Sequence, residues 1–187
     1  RSEKPISKED KNKIALFCNI NTKDIIQAID VESIYELPVL FHKEKLDVRV
    51  LAKLKISSKK TPNLSKWKNV IEKRKLLSNT IKIGIIGKYI KLKDAYKSLI
   101  EAIGHSALRN KIKVKIVWVD SENKKDMNRH LNGLSGILVP GGFGKRGVDG
   151  KIHAIKYARE NKIPFLGICF GMQLAVIEIA RNLLKIK

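Results

Sequence analysis

One junction constrains the fold more than any other feature. In "IPFLGICFGMQLAVIEIARNLL" a short apolar run at 163–168 passes directly into an apolar-periodic segment at 171–184. The run reads as a strand and the segment as a helix, with no residues left for a loop between them. Cys169 stands at the junction, with Gly167 and Gly171 two positions away on either side. A strand turning this sharply into a helix brings the two backbones close together, and small flanking residues relieve that crowding. The junction residue is left projecting at the carboxyl edge of a sheet.

The residues before it supply the rest of such a sheet. "TIKIGIIGKY" (80–89) is isoleucine-rich and reads as a strand, and "DAYKSLIEAIGHSALRN" (94–110) reads as a helix with Asp94 as its N-cap. "IKVKIVWVD" (112–120) alternates as a strand does, and 121–132 is polar. "SGILVP" (135–140) is a short apolar strand, the glycine-rich "GGFGKRGVDG" follows it, and "KIHAIKYARENK" (151–162) is helical. Strands alternating with helices imply parallel strands joined by crossover helices. The expected architecture from Thr80 onward is an α/β open, mostly parallel sheet with flanking helices, flavodoxin-like.

The first part is less regular. "KIALFCNI" (13–20) reads as a strand and a turn, and a helix is expected from about Leu46. Between the parts, "KISSKKTPNLSKWKN" (55–69) loses apolar periodicity and reads as a linker, with Trp67 as a local anchor.

Composition narrows the function classes. The formal net charge is +21, from 39 basic and 18 acidic residues. The lysines are spread singly or in pairs, with no basic stripe interleaved with aromatics, so a dedicated nucleic-acid site is not expected. Two cysteines in 187 residues, without a secretory signature, point to a reducing, cytoplasmic setting. No apolar stretch approaches the roughly 20 residues a membrane helix needs. A chain that opens on Arg1 with "RSEKPISKED" reads as an internal piece of a longer protein.

The cysteine turn carries the chemistry. A helix N-terminus presents unpaired N–H groups and partial positive charge to the sulfur, which favours the reactive thiolate. Acyl transfer also requires donors for a developing oxyanion. One is the amide of Phe170; the other is expected from "PGGFG" (140–144), where Gly142 has no Cβ to block a substrate carbonyl. Both loops then lie at the carboxyl edge of the sheet, where open α/β folds bind ligands. Cys18 lacks this context and reads as a small buried apolar residue. The glycine loop lacks the Gly-Lys-Ser/Thr ending of a P-loop.

"PFLGICFGMQLAVIEIARN" and "ILVPGGFGKRGVDGKIHAIKYAREN" resemble the nucleophile elbow and oxyanion loop of class I, triad-type glutamine amidotransferases. More narrowly, "RSEKP", "KIALFCNI", "DVESIYELPVL", "IGIIGKYIKLKDAYKSLIEAI" and "WVDSEN" resemble segments of the CTP synthase family, in that family's order. The resemblance implies that 1–56 is the end of a P-loop-type α/β synthetase (amidoligase) domain, 57–79 a linker, and 80–187 the first half of a glutaminase domain. It implies ATP-dependent amination of UTP to CTP with ammonia from glutamine, GTP as activator, Mg²⁺ with ligands outside this stretch, and a homotetramer.

By position, the resemblance makes Cys169 the nucleophile and lines the glutamine site with Gly142, Phe170, Gly171, Met172 and Gln173. It places Phe143 in the loop tied to GTP activation, Lys13 at the UTP/CTP site, and Ile29, Asp30 and Val31 around ATP. No metal ligand is assigned. "KLKDAY" stands where the family has "ELPDAY", and Phe170 where leucine is usual. The P-loop and the His and Glu of the triad are missing, and His42, His105, His130 and His153 all precede the cysteine. His153 is expected at a surface rather than as a base, so the stretch alone is expected to be inactive. Two other readings stay open: another class I glutaminase subunit, and a basic nucleic-acid-binding module with a relic elbow.

Overall fold

The computed structural model describes residues 1–58, 60–88, 90 and 92–186, with the backbone alone at Lys93. Tyr89, which closes the expected first strand, and Lys91 of "KLKDAY" lie outside the described residues. The chain forms two compact units, Arg1–Leu76 and Leu77–Lys187.

The first unit contains helices α1 (Lys8–Cys18), α2 (Leu37–Lys43), α3 (Leu46–Lys53) and α4 (Ser65–Lys75). The expected strand at 13–20 is therefore corrected to helix. Ser7 caps α1 by accepting from the Asp10 amide, and Lys13 pairs with Glu9 one turn back at 3.1 Å. The apolar residues that suggested a strand, Leu16 and Phe17, are 78% and 86% exposed, and Cys18, expected to be buried, is exposed at the end of the helix. The expected helix at Leu46 is present as α3. The segment read as linker contains α4, whose Trp67 indole donates to the Tyr35 carbonyl.

The second unit has the expected rhythm. Strands β1 (Thr80–Gly87), β2 (Lys113–Asp120), β3 (Gly136–Val139) and β4 (Phe165–Gly167) form one parallel sheet in the order β2-β1-β3-β4. Between and after them run α5 (Lys97–Arg109), α6 (Met127–Leu131), α7 (Val148–Glu160) and α8 (Phe170–Asn182). Asp94 is not the N-cap of α5, because a 3₁₀ turn over Lys93–Tyr96 precedes the helix and Tyr96 takes the cap position. The polar stretch 121–132 hides α6, whose Met127 and Leu131 are wholly buried one turn apart.

The strand order reverses after β2. Right-handed crossovers then place α5 on one face of the sheet and α7 on the other, with a switch point where the carboxyl ends of β1 and β3 meet. The main core fills the α7 face with Ile86, Ile137, Val139, Ala154, Ile155 and Leu174. Burying each large aliphatic side chain contributes roughly 1.5–3 kcal/mol. On α7 and α8, Arg159 makes a bidentate pair with the wholly buried Glu178, at 2.8 and 3.1 Å, and Asn182 adds a third donor at 3.2 Å. Among the described residues β4 pairs only with β3, and Leu166 on that strand, Met172 and Val176 on α8 and Leu183 just after it are exposed.

Candidate active site

The site is assembled where β4 turns into α8. Cys169 takes the N-cap position with φ 51° and ψ −108°, a backbone conformation that an L-residue rarely adopts. The two glycines explain why the turn is this tight. A Cβ on Gly167 would stand 2.7 Å from the backbone of Gly171 and Met172, and one on Gly171 would stand 2.1 Å from the Val139 carbonyl oxygen. Neither collision is with a flexible side chain, so only glycine fits. The strained residue itself is exposed, with its thiol free.

The loop after β3 runs against this turn. A Cβ on Gly141 would lie 3.6 Å from the Cys169 Cβ, ordinary contact distance, so the loop reaches the cysteine without crowding it. Among the described residues the amides of Gly141, Gly142, Phe143 and Phe170 donate no hydrogen bond. The amides of Gly171, Met172 and Gln173, by contrast, are taken by the carbonyls of Ile168 and Cys169. A thiol beside unbonded N–H groups is the arrangement acyl transfer uses: the sulfur attacks a carbonyl carbon and amides receive the charge on oxygen. Met172 and Gln173 are exposed on the first turn of α8, whereas Gly171 is buried under it. Phe143 is 86% exposed, and its carbonyl accepts from Lys88 Nζ at 2.6 Å, which ties the loop after β3 to the end of β1 at the switch point.

One residue in this region was passed over in the sequence. Lys151 on α7 is only 2% exposed, its ammonium 3.6 Å from where a Gly142 Cβ would stand and 5.4 Å from the centre of the Phe170 ring. Burial first, and then the like charge of Lys88, lower its pKa from the ordinary lysine value. The signal was available: residues 151, 154, 155 and 158 fall on one helical stripe whose other members, Ala154, Ile155 and Ala158, are core.

Among the described residues no histidine is shown paired with the thiol. His153 Nε2 pairs with Asn128 at 2.7 Å, His130 with the Asp126 carbonyl at 2.9 Å, and His42 with Asp47 at 2.8 Å. His105 lies exposed on α5. The other expected site residues belong to the first unit. Lys13 is exposed on α1. Ile29 bridges Ser2, and the Asp30 carboxylate accepts from Arg1 at 2.7 Å beside Val31. The described residues contain no cluster of three or more His, Cys, Asp or Glu suited to a metal ion, and no helix long and apolar enough to cross a membrane.

A parallel sheet with a strained cysteine at a strand-to-helix turn, faced by free amides, defines a class, and residues 91–187 match the family model of class I glutamine amidotransferases. The chain belongs to that family. Residues 1–56 match the model for the CTP synthase N-terminus. Over its whole length the chain is 54% identical to the CTP synthase of Pelagibacter ubique and 52% identical to that of Cytophaga hutchinsonii, spanning 35% of each. It thus covers about a third of the length of these curated relatives. A solved structure of the Trypanosoma brucei CTPS glutaminase domain with bound acivicin aligns with a TM-score of 0.52 at 42% identity, covering 55% of this chain and 41% of that one.

Proposed function

We propose that the chain is the domain-junction part of a CTP synthase, with Cys169 as the nucleophile that opens glutamine. The sulfur attacks the side-chain amide carbon, the amides of Gly142 and Phe170 receive the oxyanion, and collapse releases ammonia and leaves a glutamyl thioester. Gly171, Met172 and Gln173 shape the glutamine pocket at the head of α8, and Phe143 presents the loop on which GTP acts. Residues 1–56 close a synthetase domain in which Lys13 meets UTP or CTP and Ile29–Val31 flank ATP, 57–79 connect the domains, and 80–187 begin the glutaminase domain. The ammonia aminates UTP in an ATP- and Mg²⁺-dependent step within a cytoplasmic homotetramer. The relatives' names and the two family matches support this reading.

The observation that carries the glutaminase half is the backbone of Cys169, held at φ 51° beside amides with no other acceptor among the described residues. With no histidine paired to the thiol, glutamine hydrolysis by these 187 residues alone is negligible, while electrophiles still reach the sulfur. Incubation with acivicin followed by peptide mass spectrometry tests this. Labelling is expected at Cys169 with Cys18 untouched; equal labelling of both cysteines, or none at Cys169, refutes the assignment. Glutaminase turnover that is lost in Cys169→Ala would show that a base had been overlooked.

A further inference from the structure

We propose that Lys151 is a positioning residue for the acyl-transfer step: its ammonium, at the end of an almost wholly buried side chain beside Gly142 and Phe170, keeps both oxyanion amides in place and provides a fixed positive charge behind the oxyanion. The inference rests on the assignment of Cys169 as nucleophile. Nothing in the relatives' names or the family matches assigns this residue.

Three observations converge. Lysine is among the residues least often buried, and Lys151 is 2% exposed on an otherwise apolar helix stripe. Among the described residues its ammonium has no carboxylate or hydrogen-bond acceptor; its partner is the face of Phe170 at 5.4 Å. Enclosing a lysine side chain this far without a counter-charge is unfavourable, and an apolar residue there would pack without that penalty. The ammonium also lies close to the two residues whose amides flank the thiol, 3.6 Å from where a Gly142 Cβ would stand and over the ring of Phe170. An unneutralised cation there favours whatever negative charge forms in front of the loop, and a water-poor setting strengthens that effect. Lys88 adds the second tie, to the Phe143 carbonyl at 2.6 Å.

Two reactions of the same sulfur separate this role from mere packing. With p-nitrophenyl acetate the sulfur forms a bond to the carbonyl carbon while the carbonyl electron pair moves onto oxygen. That tetrahedral oxyanion then expels p-nitrophenolate to leave the acetyl thioester, the thiol proton having gone to buffer. With iodoacetamide a carbon–sulfur bond forms as iodide leaves, and no oxyanion arises. Both rates are measured at pH 7 on the full 187-residue chain carrying Cys18→Ser, with Cys169→Ala as the blank. The variants are Lys151→Met, Lys151→Gln and Lys151→Arg.

The expected result is a loss of about tenfold or more in acylation for the Met and Gln variants, with alkylation changed less than about threefold. Lys151→Arg restores most of the ratio of the two rates. An unchanged ratio in the neutral variants overturns the proposal, as does a parallel fall in both rates, which marks a purely structural lysine. If the parent shows no nitrophenolate release above the Cys169→Ala blank, the nucleophile assignment itself fails. Either neutral variant suffices should the other not fold.

Discussion

Replacing Cys169 by glycine is expected to stabilise the second unit while abolishing its chemistry. The residue sits at φ 51°, ψ −108°, and holding an L-residue in so sparsely populated a region costs on the order of 1–3 kcal/mol. Glycine has no Cβ and relieves most of that strain. Against this, glycine is freer in the unfolded chain, which takes back about 0.5–1 kcal/mol relative to alanine. The thiol is exposed, so little burial is lost in either variant. Cys169→Gly should therefore exceed Cys169→Ala in stability by about 0.5–2 kcal/mol. Cys169→Ala keeps the Cβ and should stay within about 0.5 kcal/mol of the parent, as an exposed truncation usually does. Urea unfolding followed through Trp118 fluorescence, in a Trp67→Phe background, reads the second unit alone. Glycine no more stable than alanine would mean that the turn is relaxed, and the account of why a cysteine is held there would fail.

The Arg159–Glu178 pair yields an ordering. Arg159→Ala strands a carboxylate that is 0% exposed, whereas Glu178→Ala leaves a guanidinium whose side chain is 30% exposed and can rehydrate. The first should lower the urea midpoint more than the second; the reverse order would count against a desolvated carboxylate. In the first unit Glu44 accepts from Gln27 at 3.0 Å and lies 3.6 Å from Lys11. The Gln27 hydrogen bond leads in lowering its pKa. A carboxyl held below its unfolded value contributes stability above that value and loses it as the pH falls through the folded one. Glu44→Gln should therefore flatten the acid side of the first unit's stability–pH curve and leave the neutral side's slope unchanged; an unaltered acid limb would refute this.

The second unit was largely legible because its signals were redundant. Ile85 and Ile86 are fully buried in a run with no helical period, and α8 starts at the first residue after a cysteine fenced by glycines. The first unit misled because "IALF" combines strand-like apolar density with exposed positions, so the capping residue Ser7 carried more information than hydropathy did. Helix α6 escaped notice because only two of its five residues, Met127 and Leu131, are buried. Spacing located the strand-to-helix turn at Cys169 and the loop that meets it, since backbone geometry dictates the residue type at and around a tight turn. Lys151 was hidden because a lysine in a chain with 39 basic residues reads as solvent-facing, and only its three-dimensional neighbours say otherwise.

Among the described residues one side of β4 has no partner strand and α8 exposes apolar side chains, which bears on how copies of these 187 residues behave in isolation. A short-range adhesive margin is combined with a formal charge of +21. Mutual repulsion reaches roughly 30 Å at 0.01 M salt but only about 8 Å at 0.15 M. In dilute electrolyte the molecules are kept from colliding edge to edge; at physiological ionic strength that shield contracts and the margins can meet. For these 187 residues by themselves, self-association is therefore expected to rise as salt is added, which light scattering would read.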